Sequence, residues 1–343
     1  MLNLGGGKNG VAPTLSTPIL FLIFNRPDTT QQVFNAIRKA QPKRLYIAAD
    51  GPRLSRQGES ELCEQTRAII KQVDWDCEIK TLFRDENLGC GLAVSSAISW
   101  FFEQEEEGII LEDDCLPSPS FFTYCEEMLQ KYRNDTRIMM VSGSNYLVEW
   151  KSQRLDYFFS MFGSNWGWAS WRRAWQAYDY NMQRWANPEA REAVRAISPS
   201  GQSFAARYRS YTNVFNGHAT TWDFQWAFCR YINSGLTIMP SVNLISNIGF
   251  GDQSTHTSIV SRAAALPLKE LTFPLRNNPI VSYDREFDKR ITRLAALTWK
   301  QRLCGFLKSK QKGKMLKSFI KRKMQNSKIR YCLWSSRARV FQV

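Results

Sequence analysis

The chain has 343 residues, of which 43% are hydrophobic and 13% aromatic, a composition that supports a folded core and excludes a disordered protein. Its net charge of +15 is unevenly placed. Residues 299–343 carry nine Lys and five Arg with no acid, whereas the other 298 residues carry 32 basic and 31 acidic side chains. The charge therefore predicts one nearly neutral domain with a basic tail.

Eight cysteines are scattered without a CxxC pair, and only two histidines are present. This pattern argues against a zinc cluster and suits free thiols in a reducing compartment. The chain contains no run of 18 apolar residues, so no transmembrane helix is predicted. Residues 1–17 are Gly-rich and polar, unlike a signal peptide, and are expected to be flexible. A cytoplasmic location follows as the prediction.

The first half of the chain alternates between strand and helix patterns. Pro18–Phe24 is a continuous apolar run, typical of a parallel strand buried on both faces. Asp28 is predicted to cap a helix that ends near Ala40. The patterns then predict strands over residues 44–49, 78–83, 108–111 and 138–142, and helices over residues 59–72, 91–103 and 121–133. We expect an α/β fold with a mostly parallel, doubly wound sheet flanked by helices.

Polar residues follow four successive predicted strands, and ligands bind at the carboxyl ends of the strands in such sheets. These residues are Asn25 and Arg26, Asp50, Arg84 and Asp85, and the triplet Glu112-Asp113-Asp114. Three adjacent acids after an apolar strand are costly unless a positive group binds there. Hard cations such as Mg²⁺ or Mn²⁺ prefer carboxylate oxygens. The alternative for the triplet alone is a solvated acidic turn.

The triplet, with the apolar strand before it and Leu116–Phe122 after it, resembles the metal-binding segment of GT-A glycosyltransferases. More specifically, it is similar to the inverting N-acetylglucosaminyltransferase I family and its bacterial relatives, over about Pro18 to Thr257. We therefore expect a Rossmann-like GT-A catalytic domain over residues 18–265. Its nucleotide-binding half is residues 18–145 and its acceptor and sugar half is residues 146–265. A connector (266–298) and the basic tail (299–343) follow.

The resemblance also implies roles for the residues at the strand ends. Asp114 would bind Mn²⁺ or Mg²⁺, and Glu112 and Asp113 would contact ribose or the donor sugar. Five further residues would approach the nucleotide. These are Asn25 and Arg26, with Arg26 near the base, Asp50 as a hydrogen-bond partner of uracil, and Asn87 and Gly89 in a loop that passes close to the nucleotide.

The second half of the chain resembles the family in three segments. An aromatic segment that includes Trp166, Gly167 and Trp168 matches the stretch that walls the donor-sugar and acceptor pocket. Trp222 and Asp223 match the segment with the catalytic base, although Asp223 at a helix start is also typical of a cap. Residues 239–257, with Ser246 and His256, lie where the family has a lid over the diphosphate. The chain departs from the family pattern within that segment.

Together these features imply a metal-dependent, inverting glycosyltransferase. It would move a sugar from a nucleotide-diphosphate donor, with a UDP-sugar favoured, to a glycan hydroxyl in bacterial surface polysaccharide or lipopolysaccharide synthesis. One alternative is a sugar nucleotidyltransferase, although no Gly-rich loop with Lys or Arg follows the first strand. Another alternative is a catalytically silent nucleotide- or glycan-binding protein of the same fold.

In the tail, Leu316, Phe319, Ile320 and Met324 fall on one helical face among lysines. A basic amphipathic helix is typical of a segment that binds an anionic membrane surface. It predicts a peripheral protein at the inner face of the membrane, which suits a lipid-linked acceptor. The alternative is a solvated, partly disordered tail. Nucleic acid is not expected as a partner, because the body is neutral and no nucleic-acid fold is recognised.

Overall fold

A computed structural model of the chain describes residues 14–249 and 265–294. The part of it up to Thr292 belongs to one compact unit. Ten strands are found there: β1 Ile19–Ile23, β2 Arg44–Ala49, β3 Glu78–Phe83, β4 Glu107–Glu112, β5 Cys115–Pro117, β6 Ile138–Ser142, β7 Tyr157–Ser160, β8 Trp168–Trp171, β9 Leu236–Pro240 and β10 Ile245–Asn247.

The helices alternate with these strands along the first half of the chain. They are α1 Pro27–Ala40, α2 Glu59–Ala68, α3 Gly89–Gln104, α4 Ser120–Lys131, α5 Arg172–Trp175, α6 Pro188–Ile197, α7 Gly201–Phe215 and α8 Asp223–Ile232. Two short 3-10 turns, Ile69–Gln72 and Gln183–Ala186, follow α2 and precede α6. A last helix, α9, begins at residue 285.

Eight strands form one sheet in the spatial order β3-β2-β1-β4-β8-β6-β9-β7. The four strands β3, β2, β1 and β4 are parallel, so their carboxyl ends lie at one edge. Strands β5 and β10 make a separate antiparallel pair just beyond β4. The predicted fold class, an α/β fold with a mostly parallel sheet flanked by helices, is confirmed.

One feature of the sheet was not anticipated, and one detail of the prediction is wrong. Strand β8 enters between β4 and β6 and runs antiparallel to both. Sequence order alone could not reveal this, since β8 comes later in the chain. Asp28 does not cap α1, because the helix begins one residue earlier at Pro27, whose fixed φ suits the first helical position.

Side chains alternate between the two faces of the sheet, as the period of a strand requires. Phe21 and Ile47 belong to the larger core cluster, whereas Leu20 and Tyr46 belong to a second, aromatic cluster on the other face. Because both faces are covered, β1 and β2 are buried almost throughout. This explains why β1 appears in the sequence as an uninterrupted apolar run.

Residues 266–292 were expected to be part of a connector, but they pack on the sheet domain. Leu271 and Phe287 are buried, and Arg276 pairs with Asp156. Within the described residues, no helix is long and apolar enough to cross a membrane. Residues 1–13 and the basic tail lie outside the described residues, and the flexibility and membrane contact expected of them stay predictions.

Candidate functional site

Arg26 joins the two aspartates of the acidic triplet. Its Nη2 lies 3.1 Å from Oδ1 of Asp113, and its Nη1 lies 2.9 Å from Oδ2 of Asp114. Arg26 is placed there because β1, which pairs with β4, ends three residues before it. The backbone N–H of Phe24 donates to the other oxygen of Asp113 at 3.1 Å. The sequence grouped Arg26 with the nucleotide base, but the structure places it on the acids.

The electrostatics of the triplet show an excess of negative charge. Burial raises the pKa of Glu112 well above its usual value, and the charges of Asp114 and Asp113 raise it further. Burial also raises the pKa of Asp113, although Arg26 opposes this. One guanidinium therefore faces three carboxyl groups at this end of β4, and burial favours the protonated form of Glu112 and Asp113.

Asp114 is held from the side of β10. Asn247 donates from Nδ2 to Oδ1 of Asp114 at 3.2 Å, and the backbone N–H of Ile248 donates to the carbonyl oxygen of Asp114 at 2.8 Å. A β-carbon on Gly249 would lie 2.2 Å from Oδ2 of Asp114, so only glycine allows this close approach. Ser246 is itself buried in β10, where it pairs with Leu116.

Asn25 is part of a polar cluster at the start of α2. Its Nδ2 donates to Oε1 of Glu59 at 2.9 Å, while its Oδ1 is buried without a hydrogen-bond partner among the described residues. Arg53 binds the same glutamate through its side chain and its backbone N–H. Its guanidinium also lies over the ring of Phe24, 5.4 Å from the centroid. The start of α2 is thereby fixed against the end of β1.

Asp50 organises the loop before α3. Its Oδ1 accepts from the backbone N–H groups of Gly51 and Leu88, at 3.1 and 3.0 Å. Its Oδ2 accepts from Nδ2 of Asn87 and the N–H of Gly89, both at 3.0 Å. Four donors fill the acceptor capacity of one carboxylate. The structure therefore gives Asp50 a loop-shaping role in place of the direct uracil contact expected from the sequence.

Asp223, the predicted catalytic base, is the first residue of α8. It does not cap the helix: Trp222 occupies that position and makes no capping bond. The carboxylate of Asp223 instead accepts a hydrogen bond from the hydroxyl of Thr221. Its negative charge contributes to the raised pKa of Glu112, so the two acids lie within electrostatic reach.

The connection between the loop held by Asp50 and the segment before Asp223 runs through Gly91 in the first turn of α3. A β-carbon at Gly91 would lie 3.1 Å from the backbone N and O of Thr221 and 2.8 Å from the hydroxyl oxygen of Tyr180. The start of α3, which Asp50 positions, thus packs directly on the segment that precedes Asp223. The loop held by Asp50 and the segment that leads into α8 are consequently adjacent.

Trp168 and Trp222, which were expected to line the donor-sugar pocket, are buried in the protein core. Trp168 is 0% exposed and Trp222 is 3% exposed, and their rings stack on each other 5.9 Å apart. Neither offers a free face for a pyranose, which corrects the pocket role expected of them. Trp166 is only partly buried and meets Tyr146 edge-on at 5.6 Å. Gly167 has φ +58°, a left-handed conformation that favours glycine.

The donor atoms at the triplet suit a hard divalent ion in chemical type, since they are carboxylate oxygens with uncompensated charge. Their present arrangement does not, because Arg26, Phe24 and Asn247 occupy the oxygens of Asp113 and Asp114. Among the described residues, no group of three or more ligating side chains is poised to hold a metal ion. His256 lies outside the described residues.

Two contributors were missed in the sequence analysis. Asn247 is the last residue of β10, and a polar side chain at the end of a strand was an available signal. Glu59 gave no such signal, because a buried acid at a helix start looks the same in sequence as an exposed one. The six cysteines of the described ranges are free thiols, as expected.

No protein-family model matches the sequence, and no curated protein matches it. Solved structures match it at low similarity. HddC from Yersinia pseudotuberculosis is 10% identical, with 46% of this chain and 77% of its own covered and a TM-score of 0.30. An apo UDP-glucose pyrophosphorylase is 10% identical, with 68% and 93% covered and a TM-score of 0.34.

The inositol-1-phosphate CTP transferase from T. maritima is also 10% identical, with 47% of this chain and 73% of its own covered and a TM-score of 0.28. None of these three is named as an N-acetylglucosaminyltransferase, so the specific family resemblance gains no support from them. At such identities and TM-scores, these likenesses assign neither a family nor an activity to the chain.

Proposed function

We propose that this chain is a glycosyltransferase that uses a nucleotide-diphosphate sugar as donor, with a UDP-sugar favoured. The observation that carries the proposal is the packing of the first turn of α3 on Thr221, two residues before Asp223. The same turn is fixed by Asp50 at the end of β2, whose carboxylate accepts from the backbone N–H groups of Leu88 and Gly89. A base on one side and charged donor-binding groups on the other are what a single-displacement transfer requires.

In this reaction the acceptor hydroxyl oxygen attacks the anomeric carbon, and the bond from that carbon to the diphosphate oxygen breaks. Asp223 takes the hydroxyl proton, and the nucleoside diphosphate leaves. Arg26 supplies a positive charge beside the leaving group. Mn²⁺ or Mg²⁺ at Asp114, when bound, would neutralise further charge on the diphosphate. Inversion of the anomeric centre follows from the absence of a second displacement.

The connection between β1 and α1 disfavours an enzyme that binds a nucleoside triphosphate. It consists of Phe24, Asn25 and Arg26 only, and Pro27 at the start of α1 has no N–H group. A triphosphate cradle uses several successive backbone N–H groups, and three residues leave little room for one.

Sugar nucleotidyl transfer is nevertheless a second candidate, because Arg26 follows the first strand and lies on the acids, where a cation would meet a pyrophosphate leaving group. The solved structures named above include a pyrophosphorylase and a CTP transferase. In this reaction a sugar phosphate attacks the α-phosphorus of a nucleoside triphosphate and releases pyrophosphate.

One experiment separates the two. The protein is incubated with a panel of nucleotide sugars, with Mn²⁺, Mg²⁺ or EDTA, and release of nucleoside diphosphate is measured. In parallel it receives nucleoside triphosphates with sugar 1-phosphates, and pyrophosphate is measured. We expect nucleoside diphosphate release only. Pyrophosphate release would favour the second candidate, and nucleotide binding without either product would identify a silent binding protein.

We further propose that the basic tail brings the enzyme to an anionic membrane surface carrying a lipid-linked glycan acceptor. The proposal rests on the +14 charge of residues 299–343 and on the sequence spacing of Leu316, Phe319, Ile320 and Met324, which predicts one apolar helical face. Deletion of this segment should release the protein from phosphatidylglycerol vesicles without loss of transfer to a soluble acceptor. Vesicle binding that survives the deletion would contradict it.

A further inference from the structure

We infer that Arg26 controls access of a divalent cation to the acidic triplet. In the free protein Arg26 pairs with Asp113 and Asp114, and a cation binds to these carboxylates only after a nucleotide diphosphate has bound. The inference deepens the proposed function and rests on it for the nucleotide-dependent half. The claim that Arg26 blocks the carboxylates in the free protein depends only on the observed contacts of Arg26.

The first argument is one of occupancy. Arg26 approaches one oxygen of each aspartate, at 3.1 and 2.9 Å, and Phe24 and Asn247 take one other oxygen each. Mg²⁺ requires oxygen ligands at about 2.0–2.1 Å in near-octahedral geometry. An ion at that distance from Oδ2 of Asp114 would meet Nη1 of Arg26, which already contacts this oxygen at 2.9 Å. Arg26 and the cation therefore compete for these carboxylates.

The second argument is one of charge. Arg26 brings a single positive charge to a site that contains the three carboxyl groups of the triplet, two of which it contacts directly. A divalent ion is attracted to that excess once the guanidinium moves aside. The site thus favours a cation electrostatically while blocking it sterically.

The third argument concerns where the guanidinium goes. Nε of Arg26 is buried and has no hydrogen-bond partner among the described residues, so the side chain retains donors that the acids do not use. A diphosphate carries the oxygens that match the planar donor fork of arginine. Binding of the nucleotide would draw the guanidinium from carboxylate to phosphate and free Asp114. Nucleotide and metal would then strengthen each other's binding, since such coupling is reciprocal.

The test measures Mn²⁺ binding to the full chain by the loss of the free-ion signal in electron paramagnetic resonance. For the wild-type protein we expect Mn²⁺ affinity to rise about tenfold or more when UDP is added. Arg26→Gln should bind Mn²⁺ without UDP about tenfold more tightly than the wild type, and UDP should add little. Arg38→Gln is the matched control, because it removes an ion-paired arginine from the last turn of α1, at the opposite end of the helix that Arg26 precedes.

Wild-type protein that binds Mn²⁺ equally well with and without UDP would overturn the inference, as would Arg26→Gln with wild-type Mn²⁺ affinity. If Arg26→Gln does not fold, the two wild-type titrations decide. If no nucleotide binds at all, the proposed function fails. In that case the Mn²⁺ affinities of Arg26→Gln and the wild type without nucleotide still test whether Arg26 blocks the carboxylates in the free protein. Asp114→Asn should lose the UDP-dependent Mn²⁺ site, which ties the signal to the triplet.

Discussion

The hydroxyl of Thr221 donates a hydrogen bond to the carboxylate of Asp223, two residues further along the chain. The bond uses Oδ1 of Asp223, and no hydrogen bond to the other carboxylate oxygen is made within the part of the chain that the structure describes. A base that is held in one orientation and still has a free oxygen can accept a proton from a substrate hydroxyl.

Asp223→Asn should lower kcat by about 100- to 10,000-fold, the range that a general base contributes. The amide keeps the shape of the side chain and its bond with Thr221 but cannot take a proton. The dissociation constant for UDP should stay near the wild-type value, as measured by calorimetry. A large loss of UDP affinity with little change in kcat would make Asp223 a binding residue.

Gly91→Ala should disturb the site through the backbone of Thr221. The new β-carbon would lie 3.1 Å from two backbone atoms of Thr221, which can move only if the segment before Asp223 shifts. We expect a loss of about 1–3 kcal/mol in the free energy of unfolding, together with a lower kcat. Thermal unfolding and steady-state kinetics measure the two effects.

Gly201→Ala is the control for this prediction, because a β-carbon at Gly201, also in the first turn of a helix, meets nothing within 4 Å. It should be neutral or slightly stabilising. A Gly91→Ala protein with wild-type stability and kcat would show that α3 does not position the catalytic segment.

Asp50→Asn should weaken the binding of all nucleotides alike. An amide presents one acceptor oxygen and a donor group where four N–H donors now converge, so at least two hydrogen bonds to the loop before α3 are lost. At about 1 kcal/mol for each bond, the loop loses about 2 kcal/mol. Titration with UDP and GDP tests this. A loss of affinity for UDP but not for GDP would instead support the direct contact between Asp50 and uracil that was expected from the sequence.

The strand ends show how far sequence reasoning reaches. Asp50 and Asp114 could be placed at one edge of the sheet, because apolar runs mark buried strands and parallel strands end together. Their partners could not be assigned, since the donors to Asp50 come from a loop whose conformation leaves no period in the sequence. Trp168 was misjudged for a related reason: an aromatic residue beside a glycine suits a pocket wall and a packed core equally well.

Titration of the Asp288 carboxyl in α9 should make the free energy of unfolding depend on pH. Asp288 is 3% exposed, and burial raises its pKa to about 6, although hydrogen bonds from Ser160 and Met161 oppose the rise. The folded protein therefore favours the protonated carboxyl more than the unfolded chain does. This stabilisation is fully present below about pH 4 and is lost as the pH rises through about 6.

Urea unfolding between pH 4 and 7.5 should show that contribution, and Asp288→Asn should remove it. The shift of about two pKa units corresponds to about 3 kcal/mol at most. Asp284→Asn is a control of opposite sign, because hydrogen bonds from Lys151 and Trp150 outweigh the effect of burial and lower the pKa of Asp284. Its stabilisation is present above the unfolded pKa and is lost as the pH falls. If Asp288→Asn kept the wild-type pH dependence, the titration would belong to another group.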